Sequence, residues 1–321
     1  MTAPFPPFSD GINLTIKELL EYRGRSALLD LSAKNQIKSH MAGTLVAKTK
    51  GRGMEFDEAR HYQVGDDIRA IDWRVTARTG KTHTKIYREE RERPVVLLVD
   101  FSHQQFFGSQ MLLKSVQIAH LASLISWSAV ANGDRIGALL FNDHDHRELK
   151  PRNRHHGALG VIEYLVKLHN QGLESFKRNE SNPQSFEKAC LRLRRVVKPG
   201  SLVFLLSDFT GLTPKAIKQL QLLSRHNEII GCQITDPLEH NLPDELSGAL
   251  AITDGVNRTE FLLNNKRRQQ YAQHQSTLLD ERAQTLKKLK IPMLNFSAHL
   301  PLLEQLNQRY SRQSSAESNN D

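Results

Sequence analysis

The sequence predicts an α/β protein. A mostly parallel sheet covered on both faces is preceded by a smaller β-rich region with short helices. Three observations carry this. The continuous apolar runs "VVLLVD", "DRIGALLF", "SLVFLLSD" and "EIIGCQITD" are the strands expected where both faces of a sheet are buried. These runs alternate with segments of helical period, as crossover units do. The region before them, with "GTLVAKT" and "GKTHTKIYREE", carries β-type patterning.

Taken in order, residues 1–40 form an N-terminal helical segment. Its first twelve residues are Pro-rich, "NLTIKELLEYR" opens with Asn13 as a candidate cap, and a second short helix is expected over 28–38. Residues 41–93 form the β-rich region. Ile68, Ile71 and Val75 stand at helical spacing, so "GDDIRAIDWRVTAR" is expected to hold a helical turn between loops.

From residue 94 the α/β region begins. "VVLLVD" leads to a helix over Met111–Ala131, and "DRIGALLF" to a basic loop and the helix of "GALGVIEYLVKL". "SLVFLLSD" leads to a helix over Thr213–Arg225, and "EIIGCQITD" to a Pro-containing loop. "GALAITD" and "RTEFLLN" read as an antiparallel pair, followed by a polar-faced helix over 265–289, the strand "IPMLNFS" and a last helix over 300–311. The polar tail 312–321 reads as disordered.

The chain has 321 residues and a formal charge of +9, with no long Lys/Arg tract. Such a balance is compatible with nucleic acid, acidic membrane surfaces or an acidic protein partner, and the lack of a concentrated tract disfavours nucleic acid. Cys190 and Cys232 stand in no C-x-x-C pattern, which suits a reducing compartment. The start has no leader architecture, and no run approaches the ~20 apolar residues of a membrane span. A soluble cytoplasmic protein without direct membrane contact is expected.

Three apolar runs end in aspartate: Asp100, Asp208 and Asp236. A fourth ends beside Asp143. Parallel neighbours would bring several of these carboxylates to one rim, at the carboxyl ends of the strands where such sheets place their sites. With the Ser102 hydroxyl, oxygen donors of this kind suit Mg²⁺ or Mn²⁺. The alternative is structural, since single aspartates cap strands and helices; that reading is preferred for Asp236, before Pro237.

The long stretch "GRGMEFDEARHYQVGDDIRAIDWRVTARTGKTHTKIYREERERPVVLLVDFS", followed in order by "GDRIGALLF" and "TDPLEHNLP", resembles the bacterial domain-of-unknown-function family 58. The resemblance implies a von Willebrand factor A-like domain over 94–311, a MoxR-type AAA+ ATPase as partner, and an unknown client. It also implies a metal-ion-dependent adhesion site of the form Asp-x-Ser-x-Ser with a distant Thr and a distant Asp. Asp100 and Ser102 match the first two positions, Gln104 stands at the third, and Asp208 fits the distant Asp. Where the Thr is expected the chain has Arg152, Asn153, Arg154, His155 and His156. The implied site is therefore degenerate, with Mg²⁺ or Mn²⁺ as its ion and no nucleotide. The implied function is that of an adaptor.

The remaining candidates are weighed one by one. Arg60, Asp66, Asp67, Arg69, Asp72, Trp73, Arg74 and Arg78 read as a structural clamp of paired charges around an indole, not an acid–base centre, since no nucleophile stands beside them. Arg152, Arg154, His155 and His156 form a basic patch for an acidic partner. "RLRRVVK" reads as an amphipathic helix, "GRG" as a turn, and His144 and His146 as solvent-facing. No catalytic residue is assigned. The alternative function is a metal-dependent hydrolase of phosphate esters or nucleic acid, which needs Asp236 or Asp143 to join the rim cluster.

Overall fold

The computed structural model describes residues 6–29, 31, 54–63, 68, 71–89, 93–243, 248–253 and 258–308. The chain divides into two compact units, one of Met1–Gly43 with Arg93–Asp321, the other of Thr44–Glu92. "GTLVAKT", most of the helix expected over 28–38 and the tail lie outside the described residues.

The N-terminal segment belongs to the larger unit. Helix α1 (Ile16–Leu20) is capped by Thr15, whose hydroxyl accepts from Glu18 N at 3.4 Å, and continues as a 3₁₀ stretch, Glu21–Leu28. Asn13, the expected cap, instead donates from N and Nδ2 to the Asp10 carboxylate at 2.7 and 2.8 Å. Leu14, Leu19, Tyr22 and Leu31 are buried in the core of the larger unit, so the segment is part of that core.

In the smaller unit, β1 (Met54–His61) pairs antiparallel with β2 (His83–Glu89). Between them α2 (Trp73–Thr79) starts at Asp72, whose Oδ1 accepts from Arg74 N at 3.0 Å and Val75 N at 3.1 Å. It stops at Gly80, in the left-handed region with φ of 70°, a conformation glycine takes without steric cost.

The larger unit continues with β3 (Pro94–Phe101), α3 (Lys114–Ala131), β4 (Arg135–Asn142), β5 (His146–Arg152), α4 (Arg154–Lys177), α5 (Ser185–Val196) and β6 (Leu202–Ser207). Then come α6 (Pro214–Ser224), β7 (Glu228–Thr235), β8 (Gly248–Thr253), β9 (Arg258–Leu263), α7 (Asn265–Lys288) and β10 (Met293–Ser297). Strands β8 and β9 form their own antiparallel pair, as expected.

The main sheet has six strands in the order β10-β7-β6-β3-β4-β5, parallel throughout except for the antiparallel edge strand β5. Alternate residues of each central strand face opposite layers. Val95, Leu97, Val99 and Phe101 of β3 pack with α3, α4 and the N-terminal segment, while Val96 and Leu98 pack with α5, α6 and Leu286 of α7. This two-sided burial explains why the strands read as unbroken apolar runs. Among the described residues, no helix is long and apolar enough to cross a membrane.

Two strands were not expected, and the first is β1 (Met54–His61). Residues 146–152, read as a basic loop, form the second, β5. Gly137 makes its close approach possible: a Cβ there would lie 2.5 Å from Leu149 O. The pairing shifts register at that point, between Ile136 and Ala138.

Candidate functional site at the carboxyl rim of the sheet

From β3 the chain builds outward to β4 and β5, then returns to lay β6 on the other side of β3. The crevice between β3 and β6 is therefore the switch point of the sheet, where open α/β sheets carry their sites. Val99 pairs with Leu206, so Asp100 and Ser207 stand side by side at the end of adjacent strands. Ser207 Oγ donates to Asp100 Oδ2 at 2.6 Å, and Asp208 is the next residue.

Hydrogen bonds tie the residues of the rim together. Asp100 Oδ1 accepts from Ser102 N at 2.9 Å, and Oδ2 also takes Gln105 Nε2 at 3.3 Å. Asp208 Oδ1 accepts from Thr210 N at 2.9 Å and Thr210 Oγ1 at 2.7 Å. The same Thr210 hydroxyl touches Gln104 Oε1, so Asp100, Ser102, Gln104 and Asp208 lie together at the rim.

The other two strand ends act on loops. Asp143 accepts from His103 N at 2.6 Å and Asn182 N at 3.1 Å. Asp236 accepts from Ser109 N at 2.9 Å, Ser109 Oγ at 2.6 Å and Leu238 N at 2.9 Å. Each of the four strand-end carboxylates thus holds at least one loop of the rim.

The residue that sequence reasoning missed is Lys114. Its ammonium is 2.7 Å from Asp208 Oδ2 and 2.5 Å from Glu239 Oε1, with side-chain exposures of 1% for Lys114, 3% for Asp208 and 28% for Glu239. The other oxygen of Glu239, Oε2, accepts from Asp236 N at 3.0 Å, in a capping box over Pro237–Glu239. A signal did exist. Lys114 is the first residue of a nearly wholly buried helix, and a cation in a first turn opposes the helix dipole unless an anion answers it.

These contacts separate the two neighbouring carboxylates electrostatically. Burial, and then the charge of Asp208, push Asp100 up to about 7 against the hydrogen bonds from Ser102 and Ser207. Burial alone would raise Asp208 too, but the Lys114 ammonium and the Thr210 donors hold it at about 2. Lys114 stays charged: burial disfavours the ammonium, and the two carboxylates more than reverse that.

As a metal centre the set does not fit. Both oxygens of Asp100 and of Asp208 already accept hydrogen bonds, Gln104 Oε1 is engaged by Thr210, and a buried ammonium lies against Asp208. Among the described residues no three His, Cys, Asp or Glu side chains are placed to hold a metal ion. The convergence that the hydrolase reading requires is not seen.

The basic patch lies elsewhere. Because β5 runs antiparallel, pairing Phe141 with His146 and Ile136 with Arg152, it carries the chain from the carboxyl rim back to the amino edge. Arg152, Arg154, His155 and His156 are all exposed there, not at the rim as expected. They share that edge with Lys198, Arg225 and Lys290, which border the starts of β6, β7 and β10. His155 Nε2 also lies 3.0 Å from Arg23 Nη2.

Of the proposed clamp, Asp66, Asp67 and Arg69 lie outside the described residues. Asp72 is the cap of α2, Arg74 and Arg78 lie on that helix, Arg60 donates to His61 O at 3.1 Å, and Trp73 is 68% exposed. Cys190 and Cys232 are buried thiols that form no disulfide, and burial raises Cys190 further above the ordinary thiol range.

Comparison with known proteins adds three findings. The profile of the family described as "Protein of unknown function DUF58" matches residues 58–284. Uncharacterized proteins of Mycobacterium bovis and Mycobacterium tuberculosis are 27% identical over 273 residues, 83% of this chain and 82% of theirs. Two solved structures, both 14% identical, are also similar. The conserved hypothetical protein BatB of Bacteroides thetaiotaomicron covers 62% of this chain and 98% of its own at a TM-score of 0.34. An aerotolerance-related membrane protein of Bacteroides fragilis covers 61% of this chain and 99% of its own at 0.37.

Proposed function

The chain belongs to the family described as protein of unknown function DUF58, and from that premise we propose that it is a non-enzymatic adaptor binding other proteins through the two opposite edges of its main sheet. The observation that supports this most is the state of the rim. Its carboxylates are consumed in holding loops, and its buried cation is already matched by Asp208 and Glu239. Among the described residues of the rim, the carboxylate oxygens of Asp100 and Asp208 are all engaged in hydrogen bonds, which leaves no open ligand position on them. What such a clasp produces is a fixed loop surface, with Gln104, Ser109, Gln110 and Thr210 exposed and Phe107 at 40% exposure among them.

The partner at the rim is a MoxR-type AAA+ ATPase, as the sequence resemblance implies, and the client binds at the amino edge. The chemistry of that second edge suits an acidic surface. Arg154 starts α4, where a cation runs against the helix dipole at a cost of about 0.3–1 kcal/mol, and an anion bound there relieves the conflict. The edges are separated by the length of an eight-residue strand, roughly 26 Å at 3.3 Å per residue, enough for two partners to bind without competing. The chain works in a reducing, cytoplasmic setting, a reading supported by two buried thiols that form no disulfide.

The test is ternary capture. With a purified MoxR-type ATPase, a Phe107→Ala variant is expected to lose the ATPase, and an Arg152→Glu, Arg154→Glu variant to keep it. Loss in neither variant, or loss in both, counts against separate edges.

A further inference from the structure

We infer that Lys114 is a tethered replacement for a metal ion: its ammonium fills the cation position of the rim, and the chain works there without a divalent ion. The geometry carries this. The ammonium reaches the end of the sheet from the first turn of α3 and contacts one carboxylate on each side. On the inner side is Asp208, buried and next to Asp100 across the β3–β6 crevice. On the outer side is Glu239, the more exposed of the two acids.

Glu239 holds the place that an external acidic ligand takes on a metal ion with an open position. Its second oxygen is pinned by Asp236 N, so the chain supplies both the cation and its outer ligand. A lysine is a point charge with three donors and no demand for six oxygens, which suits a rim whose carboxylates already accept backbone N–H groups.

The inference makes a prediction that a merely structural lysine would not. Shortening Lys114 removes the charge and frees Asp208 Oδ2 and Glu239 Oε1 toward the vacated volume, with Asp100 at the end of the neighbouring strand. These are hard oxygen donors of the kind Mn²⁺ and Mg²⁺ accept. The chain should then gain a metal site that it does not have with Lys114 in place.

The inference concerns the same rim as the adaptor reading, and its test uses the isolated chain with no partner, so the two can fail separately. Mn²⁺ is titrated into the wild type, Lys114→Ala, and Lys114→Ala combined with Asp208→Asn, with the free ion followed by electron paramagnetic resonance. The expected result is no saturable site in the wild type, one saturable site in Lys114→Ala at least about tenfold tighter than the residual binding of the wild type, and its loss in the double variant. A Lys114→Ala chain that unfolds in EDTA and refolds with Mn²⁺ shows the same gain. If that variant does not fold at all, Lys114→Ala with Glu239→Gln, which leaves less uncompensated charge and keeps an amide oxygen as ligand, is expected to show a weaker site that Asp208→Asn still abolishes. A wild-type Mn²⁺ site abolished by Asp208→Asn overturns the inference, and so does a folded Lys114 variant that gains no site.

Discussion

Lys114 Nζ lies 2.7 Å from Asp208 Oδ2, with the two side chains 1% and 3% exposed. Removing two charges from water costs several kcal/mol per ion, and only close pairing with further hydrogen bonds offsets it. Here Thr210 satisfies the other oxygen of Asp208, and Glu239 takes a second of the ammonium's three donors. The pair therefore fastens α3 to the end of β6 and fixes the crevice between β3 and β6.

Breaking that pair from one side leaves a buried, uncompensated charge. Lys114→Met is expected to lower stability by about 3–5 kcal/mol. Urea denaturation measures this, and a loss below about 1 kcal/mol would mean that the pair does not hold the rim.

The separated carboxylates predict a pH dependence with two signs. Asp100 titrates near 7 in the folded chain and near 3.8 when unfolded, so between those values the folded state binds the extra proton. Stability therefore falls as pH rises from about 4 to 7, by at most about 1.4 kcal/mol per pH unit. Asp208 acts oppositely: its folded value of about 2 means that stability is lost as pH drops below about 4. Gln105 Oε1 has no hydrogen-bond partner, and turning that amide over offers an acceptor to protonated Asp100. Thermal melts across pH 4–8 are expected to show the first slope in the wild type and a flattened slope in Asp100→Asn.

The N-terminal segment should act as core, not as an appendage. Leu19 is fully buried, Glu18 is 2% exposed against His120, and Ser123 Oγ donates to Leu19 O at 2.7 Å. Leu19→Ala is expected to cost about 2–5 kcal/mol. A denaturation midpoint for the larger unit that does not change would return the segment to the status of a separate piece.

In the smaller unit, Asp72→Ala removes two hydrogen bonds at the start of α2. The expected loss is about 0.5–2 kcal/mol, and Asp72→Asn should restore most of it, because an amide oxygen also caps. Equal stability of all three chains would rule out capping as the contribution of Asp72.

The sheet was legible because β3, β6 and β7 are buried on both faces, and "VVLLVD" and "SLVFLLS" are short, β-branched or aromatic apolar runs ending in a polar residue. Asp100 and Asp208 were legible for the same reason, as the first charges after an apolar run. Strand β5 was not, since "HRELKPR" is a charged edge strand containing Pro151, with no apolar run and only a partly buried face. Missing that strand moved the basic patch to the wrong end of the sheet. Lys114 was missed because a lone lysine reads as surface, and its partners stand 94 and 125 residues away. Glu239 was hidden in the same way, inside a turn that local chemistry explains without it.

The most direct test of the account is the affinity of the purified chain for a purified MoxR-type ATPase, measured by calorimetry with Mg²⁺ and again after EDTA, in a nucleotide state of the ATPase that needs no free Mg²⁺. A rim that carries its own cation predicts the same affinity in both conditions and loss of binding in Phe107→Ala. Binding that disappears with EDTA and returns with Mg²⁺, or that is unchanged in Phe107→Ala, would contradict it.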